Sequence, residues 1–515
     1  MRVANFCFVG IFLTLATATL AADAPAGTSR IKPTRDTTFF LTPLTATGEI
    51  DYETALNTQL RGKITSEQNA CIPLIKAIGP AREGPAMPDS FYRWLGTPVL
   101  PKGGDYFIDL MPYIRELAKL PINFSDDYYA QQFAAMNAPW TETDYPQIAK
   151  WLQANDKPLA LIVAASRRPE YFFPLVSGQR VERFNGFWVR IYPHVAPVQD
   201  IARALAARAM LRTGQGELDQ AWEDILTTHR LGRLIARGGT EFEFKFGLEI
   251  DLSILKTEIA HINDPQLTTK QILSRLQDLR NLPPLSTAAD KIDLAHRVEC
   301  LEQIQRFRRG SIGMTGEKSR TDAQQKEGDA WNWDAGLRKA NRWHDQIVTT
   351  MRLPDRPARQ KELQTMSNTL EKVAMHRPAS DHLIYAMTGK WPPPMQPLGD
   401  MQVAMLMPTY RHLKQREEFA VQSEHNLHVA FALAAYRRDH ARYPATLTDL
   451  SPKYLKDIPA DLFTGKPLIY RPEDNGYLLY SMGLNGKDDG GRVENRETRD
   501  DDIAIAVPAV RPKQD

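Results

Sequence analysis

Between Ser481 and Arg492 the chain reads SMGLNGKDDGGR, and beyond a short charged stretch it continues RDDDIAI from Arg499 to Ile505. Carboxylates this crowded repel one another unless solvent, arginines or a metal ion neutralises them, and the glycines suit a backbone bent tightly around something. Calcium takes about six to eight oxygens at roughly 2.3 to 2.6 Å, supplied by carboxylates, side-chain amides and backbone carbonyls. This stretch holds all three. The same residues also suit a solvated acidic loop, with Lys487, Arg492, Arg496 and Arg499 as its counter-charges.

Other chemical patterns are sparse. No HExxH, G-x-S-x-G, P-loop or C-x-x-C occurs, so no catalytic residue is assigned. The E-x-x-H pair Glu258 and His261 lacks the second copy that a helical di-metal site needs, and is expected on a solvated helix face. His425 and His428 lie three apart beside Glu424, a spacing that offers two imidazoles to zinc or copper. Their Gln, Ser and Asn neighbours favour the polar side of a helix. The stretch WNWDAGLRKANRWHD, from Trp331 to Asp345, has indole faces that stack on sugars and an Arg342 that pairs with acids. Trp333 and Leu337, four apart, equally suit helix packing.

At 515 residues the chain exceeds one compact domain. Lys+Arg 64 against Asp+Glu 62 leaves a formal charge of +2, too little to attract a nucleic acid or other polyanion. A composition 43% hydrophobic and 24% charged is that of a folded globular protein. The opening MRVANFCFVGIFLTLATATLAADAPAG has one basic residue, an uncharged run from Val3 to Ala22 and small residues suited to signal peptidase. Residues 1–22 are therefore expected to be a signal peptide cut near Ala21 or Ala22, placing the protein in the periplasm or outside the cell. Left uncut, the run would be an N-terminal anchor; no later stretch is apolar enough to span a membrane. Cys7 leaves with the signal. Cys71 and Cys300 remain where a disulfide is permitted, or pack as small buried hydrophobes on separate helices.

The elements follow from periodicity and punctuation. After a linker at 23–37, a helical body is expected over 38–390, starting with a helix at 65–79 capped by Thr65 and Gln68 and stopped by Gly79-Pro80. The stretch from Asp200 to Gly239 has apolar stripes on either side of a Gly214 and Gly216 turn, so it reads as an antiparallel helical hairpin, and resembles one tetratricopeptide unit. Helices are expected at 268–280, 288–309, 333–351 and 358–375, with a mobile loop at 311–330. A Pro-rich linker at 391–408 then precedes a long helix with Leu413, Ala420, Leu427, Ala430 or Phe431, and Ala434 on one face and charge on the other. A further helix at 446–454 and a hairpin around PEDNG complete a small α+β unit over 409–508, with a tail at 509–515. The fold class is thus mainly α, with an antiparallel sheet near the C-terminus.

The order Tyr443-Pro444, Tyr454-Leu455, Pro459 and Asp461, Gly465 to Pro467, Ser481 to Gly491 and Asp502-Ile503 resembles the globular domain of the type II secretion major pseudopilin. The likeness spans about 90 residues, under a fifth of the chain, and the long apolar segment that heads the family's helix has no counterpart here. The whole chain also resembles exported planctomycete-type proteins in which such a tail follows a helical body. The pseudopilin resemblance implies a structural calcium site formed by the Leu484 carbonyl, Asn485, Asp488 and Asp502, with Asp489 and Asp501 as alternates. The expected function is a non-enzymatic envelope protein whose helical body binds another envelope protein. An exported hydrolase with a site in that body is the alternative, and a deep pocket holding convergent carboxylates or a His-carboxylate pair would favour it.

Overall fold

The computed structural model describes residues 31–80, 87–117, 125–176, 195–309, 332–375, 398–492 and 501–508. Helices α1 (Tyr52–Arg61), α2 (Cys71–Ile78), α3 (Asp89–Leu95), α4 (Ser125–Asn137), α5 (Pro146–Ala154) and α6 (Asp156–Ser166) come first along the chain. The hairpin α7 (Val195–Gly214) and α8 (Leu218–Ala236) follows, then α9 (Glu241–Ser253), α10 (Leu255–Ile262) and α11 (Thr269–Arg280). Helix α12 opens at Ala288–Lys291, passes through one π turn at Ile292–His296 and continues as Arg297–Arg308. After it come α13 (Trp333–Met351), α14 (Arg356–Met375) and α15 (Leu398–His440). Three strands, β1 (Ile469–Glu473), β2 (Gly476–Ser481) and β3 (Ile503–Val507), make an antiparallel sheet in that order.

Local chemistry sets most boundaries. The caps Thr240 with Glu243 and Thr268 with Gln271 each exchange side-chain and backbone hydrogen bonds at the starts of α9 and α11. The PEDNG hairpin pairs Glu473 with Gly476 and runs the register out to Ile469 opposite Tyr480. Two expected helices are shorter than their sequence signals. Thr65 and Gln68 do bond reciprocally, but Asn69 bridges to Glu170 and its Oδ1 takes the Cys71 and Phe172 N–H groups. Helix α2 therefore begins at Cys71, because a side chain there competes with the helical pattern for backbone partners. At 446–454 the chain forms only a 3₁₀ turn at Leu447–Leu450.

Residues 398–408, expected to be irregular, are the first turns of α15, which contains Pro408 and runs for 43 residues, about 64 Å. Its expected apolar face is buried, but so are Glu417, Glu418, Gln422 and Asn426 on the face expected to meet water. Glu418 pairs with Arg359 and Arg356 of α14, and Asn426 Nδ2 donates to the Ile503 carbonyl of β3 at 2.7 Å. A single apolar cluster contains Trp222 and Ile225 of α8, Leu276 of α11, Phe431 of α15 and Tyr477, Leu479 and Ile505 of the sheet. The helix is buried on both sides because it is sandwiched between neighbours that supply partners for its polar groups. Among the described residues no helix is long and apolar enough to cross a membrane. The expected signal peptide and the loop at 311–330 lie outside the described residues.

Candidate functional site

Helices α8 and α9 cross at two glycines. A Cβ on Gly247 would lie 2.3 Å from the Ala236 backbone nitrogen, and one on Gly232 would lie 2.7 Å from that of Asp251. Backbones this close bring side chains one turn away into contact, and these are polar. His229 Nδ1 lies 2.9 Å from Asp251 Oδ1, and its Nε2 lies 3.2 Å from Glu258 Oε2 on α10. Arg233, one turn along α8, donates to the Pro283 carbonyl at 2.7 Å and pairs with Glu424 of α15 at 3.1 Å. Burial opposes a charge on His229, but the Glu258 and Asp251 carboxylates outweigh it and push the imidazole up to about 10. Burial raises the Glu258 carboxyl, against the attraction of His229. One Glu258 oxygen has no hydrogen-bond partner.

These groups line a cavity of about 20 Å³, room for roughly one water, which is completed by Ser423 and His428 of α15. His428, facing the Arg280 cation and other positive groups, is pushed down to about 4, with its burial as the largest cause. His425 is also lowered, by burial against the pull of Glu424. The two histidines thus lie against the body, not on an exposed polar face. The expected solvated Glu258 and His261 are both fully buried. They part company: Glu258 faces His229, whereas His261 Nδ1 meets Thr213 Oγ1 at 3.0 Å and its ring stacks on Trp222. The cluster's sequence signal was a histidine and an arginine, four apart, within the apolar stripe of α8 and flanking Gly232.

The acidic loop is held by its own backbone. Gly483 adopts φ +60, and a Cβ there would lie 2.1 Å from the Asp501 carbonyl oxygen, so the glycine lets the 501–502 segment close against 484–491. Asp489 Oδ2 accepts from Asn485 Nδ2 at 2.8 Å and from the Asp501 N–H at 3.3 Å, while Asp501 Oδ2 accepts from the Asn485 N–H at 3.0 Å. Leu484 lies in the same turn. Asp488 is drawn toward the sheet: its Oδ1 accepts from the Tyr480 hydroxyl at 2.7 Å and from the Gly490 N–H at 2.9 Å. These bonds hold its carboxyl below the usual range. Asp502 is buried; Oδ2 accepts from the Gly491 N–H at 2.7 Å and Oδ1 has no hydrogen-bond partner. Burial raises the Asp502 carboxyl, and the charges of Asp489 and Asp488 add to the rise. Among the described residues, no three His, Cys, Asp or Glu side chains are grouped to hold a metal ion.

Cys71 and Cys300 are free and buried in separate apolar clusters. Trp333 and Leu337 pack in the core between α13 and its neighbours, whereas Arg342 points outward. No family model, curated protein or solved structure matches this chain.

Proposed function

We propose that the protein is a non-enzymatic component of the cell envelope, exported by its N-terminal signal, in which a helical body binds another envelope protein and carries a calcium-stiffened, pseudopilin-like module. The hairpin α7–α8 would be its tetratricopeptide-like unit. The observation that carries the calcium reading is Asp502. A buried carboxylate oxygen without a partner, beside two further carboxylates, is costly unless a cation completes it. The Leu484 carbonyl and the Asn485 amide supply neutral oxygens to the same turn, as calcium accepts. Asp488 would join by turning from Tyr480.

The hydrolase reading draws its support from the His229 cluster, where histidine and carboxylates converge. Two features weigh against it. An imidazole bonded through both nitrogens to carboxylates, and charged up to about pH 10, has no lone pair with which to act as a base near neutrality. The cavity beside it admits a water, not a substrate.

Melting the protein in millimolar calcium and in EGTA tests the calcium site. Calcium a hundredfold above its Kd should add about 2.7 kcal/mol, an effect absent from the Asp488→Ala, Asp502→Ala variant. The raised Asp502 carboxyl contributes stability below its unfolded value of about 3.9 and loses it as pH rises through the folded value. The calcium effect should therefore be larger at pH 7 than at pH 4. Equal melting in calcium and EGTA would return the loop to a solvated role, and an intact mass that retains residues 1–22 would remove signal cleavage.

A further inference from the structure

Helix α13 presents a cleft of about 400 Å³ against the N-terminal segment at Arg35 to Phe39, a size that suits a small-molecule ligand. Four arginines and two aspartates line it. Its floor is built, not solvated. Arg297 and Asn341 are both buried, and the Arg297 guanidinium donates to the Asn341 carbonyl and side chain. Arg297 also pairs with Asp293 and Asp345 at 2.7 Å each, and its guanidinium lies 4.8 Å from the centre of the Phe39 ring. Phe39 holds φ +63, a conformation a bulky aromatic residue adopts at a cost and one often found at ligand sites.

The buried arginine draws in the acid that the outer arginines would otherwise use. Asp345 lies three residues beyond Arg342 on the same helix, within reach for an ion pair. Its carboxylate is instead held by Arg297. Among the described residues, Arg338 and Arg342, one turn apart on α13, consequently have no ion-pair partner, and Arg35 has a single weak bond, to the Phe39 carbonyl at 3.5 Å. An exposed arginine on a helix is usually just solvated. Three of them turned into one concave space outnumber the exposed Asp36 carboxylate that shares it and, over a floor where Arg297 is already paired, form a fork-like donor set suited to a planar or tetrahedral oxyanion.

We propose that this cleft binds the carboxylate or phosphate of a small anionic ligand through Arg35, Arg338 and Arg342, with Phe39 as its wall. Asp345 also borders a second cleft, of about 480 Å³, in which Trp343 supplies an aromatic ring, Gln346 and Thr349 neutral polar groups, and Glu362 a carboxylate that would face the uncharged part of a ligand. The body of a ligand anchored by its acid group would extend there.

Calorimetric titration of the full chain at 20 mM salt with inorganic phosphate, galacturonate and galactose tests this. Phosphate and galacturonate should bind and compete, galactose should not bind, and raising the salt should weaken both. The Arg338→Gln, Arg342→Gln variant keeps helix-forming side chains and should melt as the parent does, yet lose at least tenfold in affinity for both anions. Trp343→Phe should weaken galacturonate and leave phosphate unchanged if the ligand is a sugar acid; equal effects on both would favour a free anion, and either result keeps the oxyanion site. Absence of binding by both anions, or parental affinity in the double arginine variant, overturns it.

Discussion

His229 carries the clearest single-residue consequence. Its charge is compensated by Asp251 and Glu258 where all three side chains are buried, and removing one member of such a buried set leaves the others uncompensated. His229→Gln should cost about 3 to 5 kcal/mol at pH 6, measured by denaturant unfolding. A histidine whose folded value is raised to about 10 contributes stability that is fully present below its unfolded value of about 6.5 and is lost as pH rises through 10. The difference between parent and variant should therefore shrink between pH 6.5 and 10. A difference that stays constant over that range would mean that His229 is neutral in the folded protein. His428 runs the other way: its folded value of about 4 means that stability is lost as pH falls below about 6.5.

The crossing of α8 and α9 decides whether those residues meet at all. At Gly247 the nearest atoms to an added Cβ are backbone atoms of Ala236 and Gly232, which cannot rotate away as a side chain would. Gly247→Ala should force the helices apart and cost about 1 to 3 kcal/mol or more, even though alanine is the better helix former. Thermal melts give the size of the loss. The nuclear magnetic resonance shift of the His229 ring should move with it, because separation of the helices lengthens the bond to Asp251. A stabilised Gly247→Ala protein would mean that the crossing has slack.

Across the whole molecule, α15 binds the parts together. Val403, Met407 and Tyr410 lie in the cluster with Leu337 and Ile347 of α13, and Phe431 lies in the one shared by α8, α11 and the sheet. Of the linker expected at 391–408, residues 391–397 lie outside the described residues, and Leu398, Val403 and Met407 pack in the cluster of α13. A fragment of residues 409–515 would expose Phe431, the neighbouring alanines and the buried Glu418 to water. It should give no cooperative melt alone, with or without calcium, while the full chain melts in one transition. A sharp melt of the isolated fragment would show that residues 409–515 hold together without α8, α11 and α13.

What the sequence determined by itself was local: the hairpin about Gly214 and Gly216, the helices at 268–280 and 333–351, and the strand turn at PEDNG. Each of these rests on periodicity, caps and turn residues within a few positions. It also placed Leu484, Asn485, Asp488 and Asp489 together, because they are close along the chain; Asp501 and Asp502 meet them beside the pairing of β3 with β2. Tertiary structure decided the rest. Glu258, Glu417, Glu418 and Asn426 read as solvated because a lone polar residue on a helix usually is, and only the arrival of Arg359, Ile503 or His229 from distant segments makes burial affordable. The same holds for the arginine cleft, where Arg35 and Arg338 are 303 residues apart and their common space exists only once the N-terminal segment has packed against α13. Charge compensation over such separations leaves no periodic mark on a single chain.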